Sequence, residues 1–239
     1  GNLSVLLLNW AVVMFMALGQ TCVLLTGGID LSVGSNIALT GVVAAMAMRA
    51  GVPWWLAALI AILTGIAVGL FNGAMVVYGR MPPFIVTFAT FGIAASIPKI
   101  LTNAQSVTVA DPMFAFFGRG SIFGVPVPVI MVLIAAGVLE FMLQKTSTGV
   151  HIYAVGGNKD TARLAGINIA KTTILVYVIS GITAAFGGII VTSRLMVGYP
   201  TAGSGKEQFY SIASSVVGGV SLFGGVGNIL GALIGSLLI

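Results

Sequence analysis

The chain has 239 residues, 58% of them apolar, and only ten Lys or Arg and five Asp or Glu. A charged share of 6%, against roughly a quarter in soluble domains, leaves too little polar surface for a water-soluble fold. The protein is therefore expected to be integral to a membrane, with lipid as a partner. A nucleic-acid partner is excluded, because the basic residues behind the net charge of +5 are scattered singly and not gathered on one face. One cysteine, Cys22, forbids an intrachain disulfide and reads as a small buried hydrophobe.

Charge-free stretches at 1–29, 31–48, 50–79, 81–98, 120–139, 172–193 and 208–239 mark the spans in chain order. A helix needs roughly 20 residues to cross a hydrocarbon core of about 30 Å. Runs such as Ala57 to Leu63 do not alternate apolar with polar, which excludes a membrane β-barrel. The fold is expected to be all-α, a polytopic transmembrane bundle of about seven or eight segments with broken helices. It forms a single domain over 1–239. Gly1 opens on an apolar run with no charged leader, and Asn228 to Ile239 is too short to cross, so both ends read as cut from a longer protein.

The first motif runs from Thr26 to Ser35 between two spans, with almost no loop. Gly27 and Gly28 allow a turn and close helix approach. Asp30 is a carboxylate at or near membrane depth, which is costly and usually functional. The reading that Asp30 caps a helix starting near Leu31 is favoured over direct substrate contact. Ser32 and Ser35 serve the same turn.

Arg80, Met81, Pro82 and Pro83 follow the third span, and the double proline starts or breaks a helix. Trp54 and Trp55 after Pro53 read as an interfacial aromatic belt. Asn9, Gln20, Asn36, Asn72, Thr87 and Thr90 are polar within the spans. Their default role is helix–helix hydrogen bonding, and contact with a neutral polyhydroxy solute is the sharper one.

The loop 144–171 holds four of the ten basic residues and the only histidine, His151. Within it Asn158 is expected to cap a helix of about two turns and Gly166 to end it in the left-handed conformation. Arg163 is polar there, and Leu164 is available to dock. Counting charge by alternate loops gives five basic residues on each side, so the positive-inside rule does not orient the chain.

The last stretch repeats the first motif. Gly218, Gly219, Leu222 and Gly225 match Gly27, Gly28, Leu31 and Gly34 in the pattern Gly-Gly-x-x-Leu-x-x-Gly. Internal repeats with interrupted helices mark the substrate path in many transporters. Gly224 and Gly225 fall in the second interruption. No paired nucleophile, no metal-ligand spacing and no phosphate-binding loop is present, since Gly205-Lys206 is followed by Glu207. No metal and no cofactor is expected on this chain, and any ATP must be bound by another.

At "TGGIDLSVGS", "RMPPFIVT", "GVHIYAVGGNKDTARLAGI", "PTAGSG" and "VVGGVSLFGGVGNILGALIG" the sequence resembles the membrane permease subunit of bacterial ABC sugar importers of the ribose type, which are related to branched-chain amino acid permeases. The resemblance implies a roughly ten-helix permease lacking its first and last helices here, in the inner membrane. It implies that 144–171 is the cytoplasmic coupling loop, with Gly156, Asn158, Arg163, Leu164 and Gly166 at the ATPase. It implies a second permease subunit, two cytoplasmic ATPases carrying ATP and magnesium, and a solute-binding protein outside. The substrate-pathway residues are then Asp30, Ser32, Ser35, Asn36, Asn72, Thr87, Thr90 and Gln208. Where sugar permeases carry an acidic Tyr-Glu-Leu-Asp segment, this chain has Gln208 and Tyr210 at the acidic positions. The resemblance sets that segment near the outer mouth. Import of branched-chain amino acids or nucleosides, or ion-coupled secondary transport through Asp30 and Glu140, remain alternatives.

Overall fold

The computed structural model describes residues 2–203 and 205–239, and the side chains of residues 8, 10–203 and 205–239. The side chains of Asn9 and Ser204 lie outside the described residues. Eleven helices form among the described residues, with only two-residue strands between them, as expected for an all-α bundle.

The seven charge-free stretches become eight helices. They are α1 (Asn2–Leu25), α2 (Val33–Arg49), α3 (Trp54–Val77), α4 (Pro83–Thr102), α6 (Val127–Lys145), α9 (Ile169–Leu195), and the pair α10 (Glu207–Val217) and α11 (Ile229–Leu238). Helices α3, α4, α6 and α9 are long and apolar enough to cross a bilayer. The expected break of the last stretch is present. α10 stops before Gly218, and α11 starts only after Gly227. Pro82 and Pro83 start α4, with Pro82 at the N-cap, where a missing N–H costs nothing.

Sequence reading missed two helices, at 112–119 and 147–157, and extended another. Asp111 accepts hydrogen bonds from the Met113 and Phe114 amides and starts the short α5 (Pro112–Arg119). Residues 120–126, counted with the fifth span, form a hairpin of β2 (Ser121–Ile122) and β3 (Val125–Pro126). Its turn places Phe123 and Gly124 at positive φ, which no helix accommodates.

α9 is the central helix, packed against α1, α2 and α3. Of its most apolar 18 residues 67% are buried, against 22% for α3, so α3 turns most of its surface to lipid. α3 meets α9 through small residues four apart, Ala57, Ala61, Gly65, Gly69 and Gly73. A side chain at Gly65 or Gly69 would collide with the α9 backbone at Gly181 or Tyr177, and that close approach holds helices together in lipid.

The helices alternate in direction. We call the end that carries α7 (Ser147–Gly157) and α8 (Lys159–Leu164) the lower end. The ends of α1 and α3 and the starts of α2, α4 and α9 lie toward it. Arg49 and Leu195 mark the upper end, where β1 (Val107–Thr108) pairs antiparallel with β4 (Val197–Gly198).

Candidate translocation and coupling sites

Between α1 and α2 the chain turns through Gly27, at φ +75°, and buries Asp30. The helix does not start at Leu31 with Asp30 as its cap. It starts at Val33, with Ser32 at the N-cap position and no side-chain capping bond. Asp30 lies two residues too early to reach the orphan amides of the first turn. Its Oδ1 instead accepts from the Ser32 amide at 2.9 Å and the Ser32 hydroxyl at 2.6 Å, a local side-chain turn. Its Oδ2 accepts from Ser180 Oγ of α9 at 2.7 Å. Asn72 of α3 donates to Ser32 Oγ at 2.9 Å. That bond fixes the Ser32 proton on Asp30. Ser35 donates to the Ser32 carbonyl, and Thr87 of α4 donates to the Ile29 carbonyl at 3.2 Å.

Five of the eight pathway residues named from sequence, Asp30, Ser32, Ser35, Asn72 and Thr87, thus meet at one break. There they tie α2, α3, α4 and α9 together. Among the described residues the Asp30 carboxyl has three donors and no cationic partner. Hydrogen bonds from hydroxyl and amide groups hold it in place of an ion pair. Ser180 was missed, because nothing in its own neighbourhood marks it and its partner lies 150 residues away. Thr90 stands apart. It bonds to its own helix at Val86 and lines an apolar groove of about 550 Å³ with Leu39, Val68 and Ile97. Asn36 is buried with its carbonyl oxygen unpartnered. Gln208 is also buried, its Oε1 unpartnered and set against Gly34.

The second break, residues 218–228, meets the first at the lower end. The Gly225 amide donates to the Leu25 carbonyl at 2.9 Å. A side chain at Gly224 would press on the Gly27 amide and the Gly156 carbonyl. Gly156 of α7 is wedged against the Leu25 carbonyl and the Gly225 amide so closely that no Cβ fits. Three backbones therefore cross at glycine: the end of α1, the 218–228 break, and α7. Tyr153 of α7 adds a bond from its hydroxyl to the Gly227 carbonyl at 2.7 Å. Burial pushes the Tyr153 phenol above its ordinary pKa, and the charge of Glu140 adds to the rise, so the hydroxyl keeps the proton it donates. Glu140 is no free carboxylate within the bundle. Its Oε2 accepts from the Ile229 amide at 2.9 Å, and Asn228 caps the same helix through Gly231, so both hold the start of α11.

The glycine repeat is real in sequence and unequal in space. Gly27 takes positive φ in the first copy, but its counterpart Gly218 does not, and in the second copy Gly219 does, at φ +91°. Close approach falls on Gly218, which abuts the Gly231 backbone of α11, while Gly219 faces open space.

α8 forms as expected. Asn158 accepts from the Thr161 amide at 2.9 Å, and Gly166 follows the helix at φ +79°. Ala162 is buried beneath it, Arg163 is exposed, and Leu164 is 90% exposed.

Residues 2–239 match a family described as "Branched-chain amino acid transport system / permease component". The chain belongs to this permease family. The permease is 42% identical over 242 residues to the ribose import permease protein RbsC of Escherichia coli, covering 100% of this chain and 75% of that one. It is 40% identical over 239 residues to the D-allose transport system permease protein AlsC of the same organism, covering 100% and 73%. It is 34% identical over 244 residues to the fructose import permease protein FruF of Bifidobacterium longum, covering 100% and 68%. No solved structure matches. Family and apolar helices together make the permease a multi-pass protein of the inner membrane, and its relatives are transport components.

Proposed function

We propose that this permease is the membrane half of an ATP-driven importer for a pentose- or hexose-like sugar. Ribose, allose and fructose permeases among its relatives support the substrate class. Loop 144–171 is then the cytoplasmic coupling loop. α7 and α8 dock on a partner ATPase, and a second permease subunit completes the pathway. A solute-binding protein delivers the sugar from outside. ATP and magnesium belong to the ATPase, and this chain binds neither. Nucleotide binding biases the permease pair between inward- and outward-facing states.

The observation that carries the proposal is the junction at Gly156. A two-turn helix has little stability of its own, yet α8 presents Arg163 and Leu164 outward from a loop whose α7 is wedged between the two membrane breaks. A push on α8 passes through Gly156 and Tyr153 to Leu25 and Gly227, and from Leu25 to the turn that holds Asp30. Ion-coupled transport is disfavoured, because both oxygens of Asp30 are committed to hydroxyl and amide donors and Glu140 caps α11.

Arg163→Glu tests the proposal. The residue lies outside the bundle, so the permease should fold and insert normally. Reversing a buried interfacial charge costs about 2–5 kcal/mol, so ATPase recovered with the variant should fall more than about tenfold. Equal co-purification with wild type and variant removes Arg163 from the interface.

A further inference from the structure

The chain between β4 and α10 does something that hydrophobicity alone does not reveal. After pairing with β1 at the upper end, it turns back down along α2 without forming a helix. Gly198 rests on Gly41, Val42 and Ala45, and Gly203 rests on Gly34 and Ile37. At 1.5 Å per helical residue, Gly203 lies about 20 Å below Arg49, beyond the middle of a hydrocarbon core of about 30 Å. Residues 199–203, with 205 and 206, are therefore a strap of irregular backbone at membrane depth, well below the upper end.

Irregular backbone at that depth cannot face lipid, because lipid offers its N–H and C=O groups no partners. Pro200 is buried against the bundle, but Thr201, Gly205 and Lys206 are exposed, as are Tyr199, Phe209 and Tyr210. A lysine ammonium has no place against acyl chains. Trp10 backs the Tyr210 ring, with centroids 6.1 Å apart. Beside the strap, Gln208 keeps an unpartnered Oε1 in a buried position. Exposed aromatic faces, a hydroxyl, an ammonium and an amide together suit a neutral polyhydroxylated solute, whose C–H faces rest on rings and whose hydroxyls need both donors and acceptors.

We propose that the strap of residues 199–203, 205 and 206, together with the first turn of α10, lines the solute path inside the membrane, with Tyr199, Thr201, Lys206 and Tyr210 facing it. The choice of solute class rests on the sugar-import reading, whereas the location of the path does not.

Cysteine accessibility separates the two. Thr201→Cys and Lys206→Cys, each in a Cys22→Ala background, are assembled into the whole transporter in membranes and exposed to a charged, membrane-impermeant methanethiosulfonate. Leu63→Cys, on the lipid-facing side of α3, is the control. At least one strap cysteine should react at least roughly tenfold faster than the α3 control. Excess ribose, allose or fructose delivered with the binding protein should slow that reaction. Strap cysteines as inert as Leu63→Cys, both with and without ATP and in variants that still assemble, overturn the proposal. Fast reaction with no protection by any of these sugars keeps the path and removes the sugar assignment.

Discussion

The two Gly-Gly breaks carry the same pattern but are held in different ways. The first, at Gly27 to Ser32, is fastened by one side chain. Asp30 gathers the Ser32 and Ser180 hydroxyls, and Asn72 fixes Ser32 from α3. The second has Ser221 where the first has Asp30. Its fastening is backbone and caps: Gly225 to Leu25, Ser221 to Val226, and the α11 start on Asn228 and Glu140. Accordingly the first break is almost entirely buried, whereas Phe223 in the second is 91% exposed. A glycine pair can interrupt a membrane helix anywhere. What lies two residues after it decides whether the interruption is locked to the bundle or left accessible to a neighbour.

Removing the carboxylate should erase the difference between the breaks, and this is the largest effect expected. Asp30→Leu strands the Ser180 and Ser32 donors, at about 1–3 kcal/mol for each, seen as lost assembly or a sharply lower melting temperature in detergent. Asp30→Asn keeps an acceptor for Ser32 and offers its amide to the Ser180 hydroxyl, so it should assemble. Equal loss in both variants would assign the site to charge and not to fastening.

The second break separates packing from backbone conformation. Gly218→Leu drives a side chain into the Gly231 backbone and should cost about 1–3 kcal/mol or more. Gly219→Ala meets open space and bears only the left-handed penalty of about 1–2 kcal/mol. Assembly yields for the two variants should fall in that order, and a reversed order would contradict the packing described for α10 and α11.

Tyr153→Phe should have the smallest effect. It removes one bond to the second break, worth about 0.5–1.5 kcal/mol. The expected result is normal assembly with fewer solute molecules moved per ATP hydrolysed. An unchanged ratio would mean that Tyr153 plays no part in linking α7 to the break.

Much of this arrangement could be read from the chain. Scarcity of charge marks spans directly, because each charged residue at membrane depth is expensive, and the broken last stretch and the α8 caps at Asn158 and Gly166 followed from local chemistry. The hairpin 120–126 was hidden, since Ile122, Phe123 and Val125 are as apolar as a span. The stripe Ala57 to Gly73 was present at a spacing of four but reads as ordinary helix without its partner. For Asp30, sequence revealed the cost of burial but not its donors, because Ser180 is joined to it only by folding. Gly156 stood out only through the resemblance; its wedge between Leu25 and Gly225 depends on three distant segments meeting. Nothing in Thr201 to Lys206 records depth, which only the contacts of Gly198 and Gly203 along α2 reveal.

The most direct test of the account is uptake by the reconstituted transporter. The permease, its ATPase and its binding protein are placed in proteoliposomes with ATP-magnesium on the ATPase side, and labelled ribose, allose and fructose are offered on the other. The account predicts accumulation of at least one of these sugars that needs ATP hydrolysis and the binding protein and is indifferent to proton or sodium gradients. Accumulation driven by an ion gradient without ATP, or ATP-driven uptake of leucine or a nucleoside with none of the sugars, would contradict it.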